Sequence, residues 1–150
     1  MSDLLPVEGA GKPSADAFGR GLGPGLGVNL LVRDMRQALE FQTKVLGASV
    51  RYWDRDFAIV EALGSVWQLH QDDTYDSHPL RGIAQTADGR GAGAELRLYG
   101  RDPDEAEAAA QALGAIVLAG AADKPHGLRE SYIIDGDGYV WVPCSPKTND

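Results

Sequence analysis

The chain has 150 residues, of which 43% are hydrophobic and 24% charged, which suits a single domain with a buried core. Its formal net charge of −8 argues against a nucleic-acid partner, because phosphate backbones are bound by clustered Lys and Arg. No apolar run approaches the roughly 20 residues needed to cross a bilayer, and the single cysteine, Cys144, allows no intramolecular disulfide. We therefore expect a cytoplasmic protein without a membrane segment, whose partner is a small molecule or a protein.

The first part of the chain predicts an arm followed by a β-α-β-β-β unit. Residues 1–26 are rich in Gly, Pro and Ser and show neither helical nor strand periodicity, so we expect a flexible N-terminal arm. Residues 27–32 predict a strand. Asp34 is suited to cap the next helix, in which apolar residues recur at three- and four-residue steps up to Gly47. Three further strands are predicted at 49–53, 57–62 and 65–70.

The second part of the chain predicts the same order of elements. Residues 71–94 are polar and rich in turn residues, which predicts a lid or linker loop. A strand at 94–99 is followed by a helix that Asp102 caps and that ends before Gly114. The remaining strands are predicted at 115–118, 129–134 and 139–143. The domain then spans 27–146, with its first unit at 27–70, the loop at 71–94 and its second unit at 95–146.

A repeated hairpin supports this duplication. Ile59 to His70 (IVEALGSVWQLH) and Ile133 to Cys144 (IIDGDGYVWVPC) match without a gap at Ile59/Ile133, Gly64/Gly138, Val66/Val140 and Trp67/Trp141. Side chains alternate along a strand, so both tryptophans are predicted to face the helices. The opposite face then carries Gln68 and His70 in one unit, and Val142 and Cys144 in the other. By the same alternation Leu96 and Leu98 face the helices, and Glu95, Arg97 and Tyr99 face away from them.

Two tandem units of this kind resemble the vicinal oxygen chelate superfamily over about residues 26–146, through GVNLLVRDMRQALEFQTKVLG at the start and GLRESYIIDGDGYVWVP at the end. That superfamily includes glyoxalase I, extradiol dioxygenases and bleomycin-resistance proteins. The resemblance implies an α+β fold in which two tandem βαβββ units form an eight-stranded, cup-shaped mixed sheet with two helices on its outer face. It also implies a ligand or divalent metal inside the cup, and a homodimer with a self-contained or swapped cup.

In metal-using members the ligands come from the first and last strand of each unit. The matching positions here are Gly27, Gln68, Glu95 and Val142. Glycine has no side chain and valine no lone pair, whereas catalytic sites usually need three protein ligands. We therefore expect no metal cofactor. The alternative is a divalent ion (Zn, Ni, Fe or Mn) held by Gln68, His70 and Glu95 in a lyase, isomerase or dioxygenase.

The polar residues predicted inside the cup indicate a glyoxalase- or bleomycin-resistance-like protein that binds a small organic ligand. Arg97 is suited to an anionic or carbonyl group, Glu95 to a donor, and Tyr99 or His70 to orienting the ligand. Alternatively these groups pair with one another, and Arg129 pairs with a surface acid. The predicted ligand-binding residues are Asn29, Trp53, Gln68, His70, Glu95, Arg97, Tyr99 and Arg129.

Overall fold

A computed structural model describes residues 5–74, 79–80, 84 and 89–148. In chain order its elements are α1 (Ala15–Gly21), β1 (Asn29–Val32), α2 (Met35–Lys44), β2 (Ser49–Trp53), β3 (Phe57–Ala62), β4 (Ser65–Gln71), a 3-10 helix (Asp72–Thr74), β5 (Leu96–Tyr99), α3 (Pro103–Leu113), β6 (Ile116–Asp123), β7 (Leu128–Ile134) and β8 (Val140–Pro146). Two β-α-β-β-β units follow one another, as predicted. Within the described ranges no helix is long and apolar enough to span a bilayer.

The eight strands form two four-stranded mixed sheets, ordered β1-β4-β3-β2 and β5-β8-β7-β6. In each sheet the first strand of the unit pairs parallel with the fourth, and the other pairs are antiparallel. The predicted α+β class is thus confirmed. The strands are, however, hydrogen-bonded as two separate sheets and not as one continuous sheet of eight.

The two long helices begin where the sequence predicts. Asp34 accepts a hydrogen bond from the backbone N–H of Gln37 (3.0 Å), and Asp102 accepts from those of Asp104 and Glu105. These bonds satisfy N–H groups that have no partner within the helix. Gly114 ends α3 in the left-handed conformation, with φ at 81°, which glycine adopts without the steric cost of a Cβ.

The hydrophobic core lies between the sheets and α2 and α3, and it contains residues of both units. Trp67 and Trp141 meet there with ring centroids 5.7 Å apart, and both are nearly fully buried. The indole N–H of Trp67 donates to the buried Gln42 side chain (2.8 Å), and that of Trp141 donates to Asp135 (3.0 Å). The predicted helix-facing orientation of both tryptophans is confirmed.

The two repeated hairpins differ by one residue. Trp67 pairs with Val60 seven positions earlier, whereas Trp141 pairs with Ile133 eight positions earlier. The ungapped alignment is therefore correct for the strands that follow the two turns, but it is wrong by one residue for the strands that precede them. Val60, and not Ile59, is the structural equivalent of Ile133. The extra residue lies in the longer second turn, Asp135–Tyr139.

The shift makes Phe57 the structural counterpart of Glu130. Phe57 pairs with His70, and Glu130 pairs with Cys144, in the same place relative to the two tryptophans. Neither Phe57 nor Glu130 is among the residues that the sequence singled out as candidates. The sheet face that carries these residues lies opposite the helices, and we call it the concave face of each unit.

The N-terminal arm contains a helix that the sequence did not predict. Ser14 caps α1 by accepting from the N–H of Ala17 (3.2 Å), although none of its residues is fully buried. The arm is attached to β2 through two hydrogen bonds, from Gly9 N–H to the Trp53 carbonyl and from the Trp53 indole to the Pro6 carbonyl, both 2.8 Å. A helix of seven residues is too short to be stable alone, so its contacts with the sheet hold it in place.

The linker joins the units through a buried arginine near its end. Arg90 donates both terminal nitrogens to Asp72 (2.7 and 2.6 Å), and one of them also donates to the Leu31 carbonyl (3.0 Å). The Tyr139 hydroxyl donates to that same carbonyl (2.8 Å). Much of the predicted 71–94 loop lies outside the described residues. Its described end ties the first sheet to the second hairpin.

β6 is longer than predicted and irregular. It continues through an Ala-Gly-Ala run to Asp123 because β7 supplies a pairing partner, although these residues are weak strand formers. Its pairing register shifts between Val117 and Ala119 and again between Ala119 and Ala122. β6 is one of the two edge strands of its sheet.

Candidate ligand site

The concave face of the first unit carries three polar residues on two neighbouring parallel strands. Asn29 lies beside Gln68, and Leu31 lies beside His70. The Asn29 side-chain oxygen is 2.5 Å from Nδ1 of His70, so the two side chains form a pair. The structure thus places Asn29, Gln68 and His70 beside one another, and their role in binding a ligand stays a prediction.

An aromatic cluster surrounds this polar pair. The Phe57 ring lies 4.8 Å from the His70 ring and 6.2 Å from the Tyr52 ring, measured between centroids. Phe18 from α1 approaches Phe57 edge-on, at 5.9 Å and 69°. Aromatic rings prefer such edge-to-face and offset arrangements, and together they present a large apolar surface.

These residues line an open pocket of about 370 Å³ between the arm and the first sheet. Ligand pockets are concave, mostly apolar, and carry a few polar groups that fix orientation. The sheet contributes the paired polar side chains and two aromatic rings, and the arm contributes apolar side chains opposite them. The pocket is lined by Lys12, Pro13, Ala15, Phe18, Gly19, Leu22, Asn29, Tyr52, Phe57, Gln68 and His70.

Tyr52 is fixed in its neutral form. Its hydroxyl donates to Asp54 at 2.5 Å, and this bond, with burial, raises the pKa of Tyr52 to about 12. Asp54 also accepts from the backbone N–H groups of Asp56 and Phe57. Tyr52 therefore presents an uncharged ring to the pocket, positioned by the turn that precedes β3.

The concave face of the second unit is built around an ion pair instead. Arg97 donates to Glu95 (2.7 Å) and to Glu130, whose side chain is only 2% exposed. The Tyr132 hydroxyl donates to Glu130 as well, and His126 lies 3.3 Å from it. The guanidinium is 5.7 Å from the centroid of the exposed Tyr99 ring.

Mutual pairing dominates the electrostatics of this second face. Burial disfavours the charged form of Glu130, but its hydrogen bonds from Arg97 and His126 outweigh burial and hold its pKa below the usual range. Burial likewise opposes the charge on Arg97, yet its bonds, first of all to Glu130, leave the arginine pKa raised. The cluster of Glu95, Arg97 and Glu130 therefore satisfies its own charges, as the alternative interpretation of the sequence anticipated.

Two predicted residues lie away from both clusters. Trp53 belongs to the core at 4% exposure, with its indole bonded to the Pro6 carbonyl and the Arg36 guanidinium 5.2 Å from its ring centroid. Arg129 points to the helix side and pairs with Asp104 of α3 through two bonds of 2.8 and 2.9 Å. Arg129 thus makes the surface pair that the sequence offered as the alternative to ligand binding.

The residues that could hold a metal do not suit one. Glu95 is already bonded to Arg97 (2.7 Å), and Nδ1 of His70 is already paired with Asn29 (2.5 Å). At the remaining positions Gly27 and Val142 offer no donor atoms. Across 5–74, 79–80, 84 and 89–148, no three or more His, Cys, Asp or Glu side chains are grouped to bind an ion. Among the described residues, the side chains at the four ligand-equivalent positions are therefore a poor donor set for a divalent metal, and the absence of a metal cofactor stays a prediction.

Glu130, Phe57, Tyr52 and Phe18 are the site residues that sequence reasoning missed. A one-residue gap in the hairpin alignment would have found the first two, because Asp-Gly-Asp-Gly is a longer turn signal than Leu-Gly. The pair of apolar residues Phe18 and Leu22, one helical turn apart after the Ser14 cap, was the signal for the arm.

Comparison with solved structures places this geometry in a known fold. A glyoxalase-related enzyme from Fulvimarina pelagi superposes with a TM-score of 0.64 at 17% identity, over 83% of this chain and 88% of that chain. A glyoxalase/bleomycin resistance protein/dioxygenase from Nocardioides superposes with a TM-score of 0.61 at 18% identity, over 90% of this chain and 94% of that chain. The fosfomycin resistance protein FosX from Listeria monocytogenes was solved with Mn(II) and a sulfate ion. It superposes with a TM-score of 0.61 at 13% identity, over 84% of this chain and 92% of that chain.

Comparison of sequences does not extend these structural similarities, because no protein-family model and no curated protein sequence matches the chain. The likeness at 13 to 18% identity concerns the fold alone. The order of strands in both sheets and the helix-side core agree with the architecture that the repeated units implied. The chain therefore has the fold of these glyoxalase-related, glyoxalase/bleomycin resistance/dioxygenase and FosX structures, which is the fold that the resemblance of the sequence implied.

Proposed function

We propose that this protein binds a small organic molecule on the concave face of its first unit, without using a catalytic metal. The observation that carries the proposal is the pocket of about 370 Å³ that the arm and the first sheet line together. Its floor presents Gln68 and the Asn29–His70 pair among aromatic rings, and such isolated polar groups orient ligands in apolar pockets. The second face contributes less, because its charged groups already pair with one another.

A thermal-shift screen of a broad library of organic metabolites tests the proposal. A compound at ~100 times its dissociation constant adds about 2.7 kcal/mol to the stability of the folded state, which is readily detected. Binding of the compounds found should be weakened by Gln68→Ala. The matched control is Gln111→Ala, because Gln111 is exposed on α3 and distant from the pocket lining. A screen without hits, or hits that Gln68→Ala leaves unchanged, would overturn the proposal.

A metal-dependent lyase, isomerase or dioxygenase is the alternative function. The FosX structure from Listeria monocytogenes contains Mn(II), which shows that a protein with this fold can bind a divalent metal ion. Elemental analysis of the purified protein decides between the two functions. Stoichiometric Zn, Ni, Fe or Mn that is lost in Glu95→Ala would favour the enzyme and overturn the binding proposal.

We also propose that the protein forms a homodimer in the cytoplasm. Within the chain the units meet on their helix sides, through Trp67 and Trp141, and each concave face is built from one four-stranded sheet. Ile116 and Leu118 on the edge strand β6 are each 60% exposed, and exposed apolar surface of this kind supports an interface with a second copy. Analytical ultracentrifugation should give a dimer that Ile116→Glu dissociates, and a monomeric wild type would refute this assembly.

A further inference from the structure

We propose that the N-terminal arm forms one wall of the ligand pocket, and that the pocket is built for a neutral, planar aromatic molecule. This inference rests on the proposed binding function and adds the class of ligand and the residues that close over it. Three observations support it: the side chains that line the two walls, the charges around them, and the way in which the arm is attached.

The two walls are complementary in chemistry. The sheet wall presents the Phe57 ring between Tyr52 and His70, and the arm wall presents Phe18 and Leu22. The Phe18 ring is inclined by 69° to the Phe57 ring, so the two form a corner with aromatic surface on both sides. A flat aromatic ring can stack on one surface and meet the other with its edge, an arrangement that a saturated ring cannot reproduce.

The charges around the pocket favour a neutral ligand. Lys12 is the charged residue in the pocket lining, its side chain is 71% exposed, and it lies 3.8 Å from Asp54. The other polar groups are the Asn29–His70 pair, the Gln68 amide and the Tyr52 hydroxyl, which is bonded to Asp54. An ionised ligand group would lose its hydration without a charged partner inside, whereas one neutral hydroxyl, carbonyl or ring nitrogen can be satisfied.

The arm is fixed at both ends and lightly held between them. Gly9 and Pro6 are bonded to Trp53 on one side, and the Val28 carbonyl accepts from the Gln68 N–H (3.0 Å) on the other. The intervening α1 has no fully buried residue, and Leu22 is 48% exposed. A ligand in the pocket would bury part of this apolar surface, so ligand binding and closure of the arm should reinforce one another.

Isothermal titration calorimetry of the full-length protein with three related probes tests the ligand class. β-naphthol is planar, aromatic and neutral, decahydro-β-naphthol keeps the hydroxyl on a saturated skeleton, and β-naphthoate carries a charge. We expect β-naphthol to bind about tenfold more tightly than either of the others, the factor expected from one favourable aromatic contact. Equal affinity for the saturated or the charged probe would overturn the assignment of the ligand.

Variants of the arm test its role as a wall. Phe18→Ala and Leu22→Ala should each weaken β-naphthol binding by about fivefold to tenfold. Leu26→Ala is the matched control: it makes the same change in the same arm, at a residue that is 99% exposed and outside this pocket. Leu22→Ala keeps the contact of Phe18 with Phe57, so circular dichroism and the melting temperature of this unliganded variant should stay close to the wild type. Phe18→Ala removes that contact and should reduce the helical signal of α1, so Leu22→Ala is the variant that decides the role of the arm.

The outcomes separate this inference from the binding function on which it rests. If Phe57→Ala abolishes β-naphthol binding but Phe18→Ala and Leu22→Ala do not change it, the arm is not a wall, and the binding function stands. If library compounds of another class bind in a Gln68-dependent manner and β-naphthol does not, the aromatic assignment fails alone. If no library compound and no probe binds, both proposals fail.

Discussion

Asp137→Asn should remove a pH-dependent loss of stability from the second hairpin. Asp137 is buried at the junction of the two units, where it accepts from the backbone N–H of Arg33 (2.9 Å) and lies 3.7 Å from the Arg33 guanidinium. Its neighbours also include Asp135, Arg90 and Tyr139. Burial raises the pKa of Asp137 to about 6, and the nearby charge of Asp135 adds to the effect, against the opposing Arg33 and Arg90.

The size and sign of the effect follow from that pKa. A rise from 3.8 to about 6 corresponds to roughly 3 kcal/mol, at about 1.4 kcal/mol per pKa unit. Because the folded state holds this proton more tightly, the contribution of Asp137 to stability is fully present below about pH 4 and is lost as the pH rises through about 6. Asparagine resembles the protonated acid in shape, so Asp137→Asn should be more stable than the wild type at pH 8, by up to roughly 3 kcal/mol.

Urea unfolding followed by circular dichroism at pH values from about 4 to 8 measures this difference. The two proteins should have similar stability near pH 4, and their curves should separate as the pH rises. Asp16→Asn controls for the removal of one acid, because that side chain is 74% exposed in the arm. Parallel curves for Asp137→Asn and the wild type, or a variant that is less stable at pH 8, would refute the reasoning.

Three further substitutions test the packing around the two faces, each by chemical unfolding. Glu130→Ala removes the buried partner of Arg97 and should lower the free energy of unfolding by about 2–4 kcal/mol. Glu95→Ala should lower it by less than about 1 kcal/mol, because the Glu95 side chain is 45% exposed. Equal losses of stability would contradict the assigned network. Gln42→Leu leaves the buried Trp67 N–H without its acceptor and should cost about 1–3 kcal/mol, against little for the exposed control Gln111→Leu. Gly91→Ala would place a Cβ 2.9 Å from Tyr139 and should cost about 1–3 kcal/mol of stability. Gly89→Ala is the control and should be nearly neutral, because its nearest contact would be at 3.7 Å. A neutral Gly91→Ala would show that the linker can move away from the hairpin.

The architecture could be predicted because the chain repeats itself. Two Asp-capped helices and two Val-Trp strands fix the order of elements, and alternation around Trp67 and Trp141 fixes which face packs on the helices. The structure also confirms that Leu96 and Leu98 belong to the core side. These features depend on local sequence and on burial, both of which can be seen in one chain.

The composition of the site could not be predicted in the same way, because it depends on partners distant in sequence. Arg97 could be placed on the concave face, but its buried partner Glu130 lies 33 positions later, before a turn that is one residue longer than its counterpart. The helix of the arm escaped detection for a related reason. Its stability comes from the contact of Phe18 with Phe57 and not from its own short sequence.

The irregular pairing of β6 decides what the exposed edge of its sheet offers to other molecules. An edge strand that is straight and fully paired on one side offers its free N–H and C=O groups to strands of other molecules. The two register shifts in β6 twist and interrupt that row of groups, the first of them at Leu118, which like Ile116 is 60% exposed in the single chain. A change that restored regular pairing there would turn an apolar, half-exposed strand into a template for aggregation.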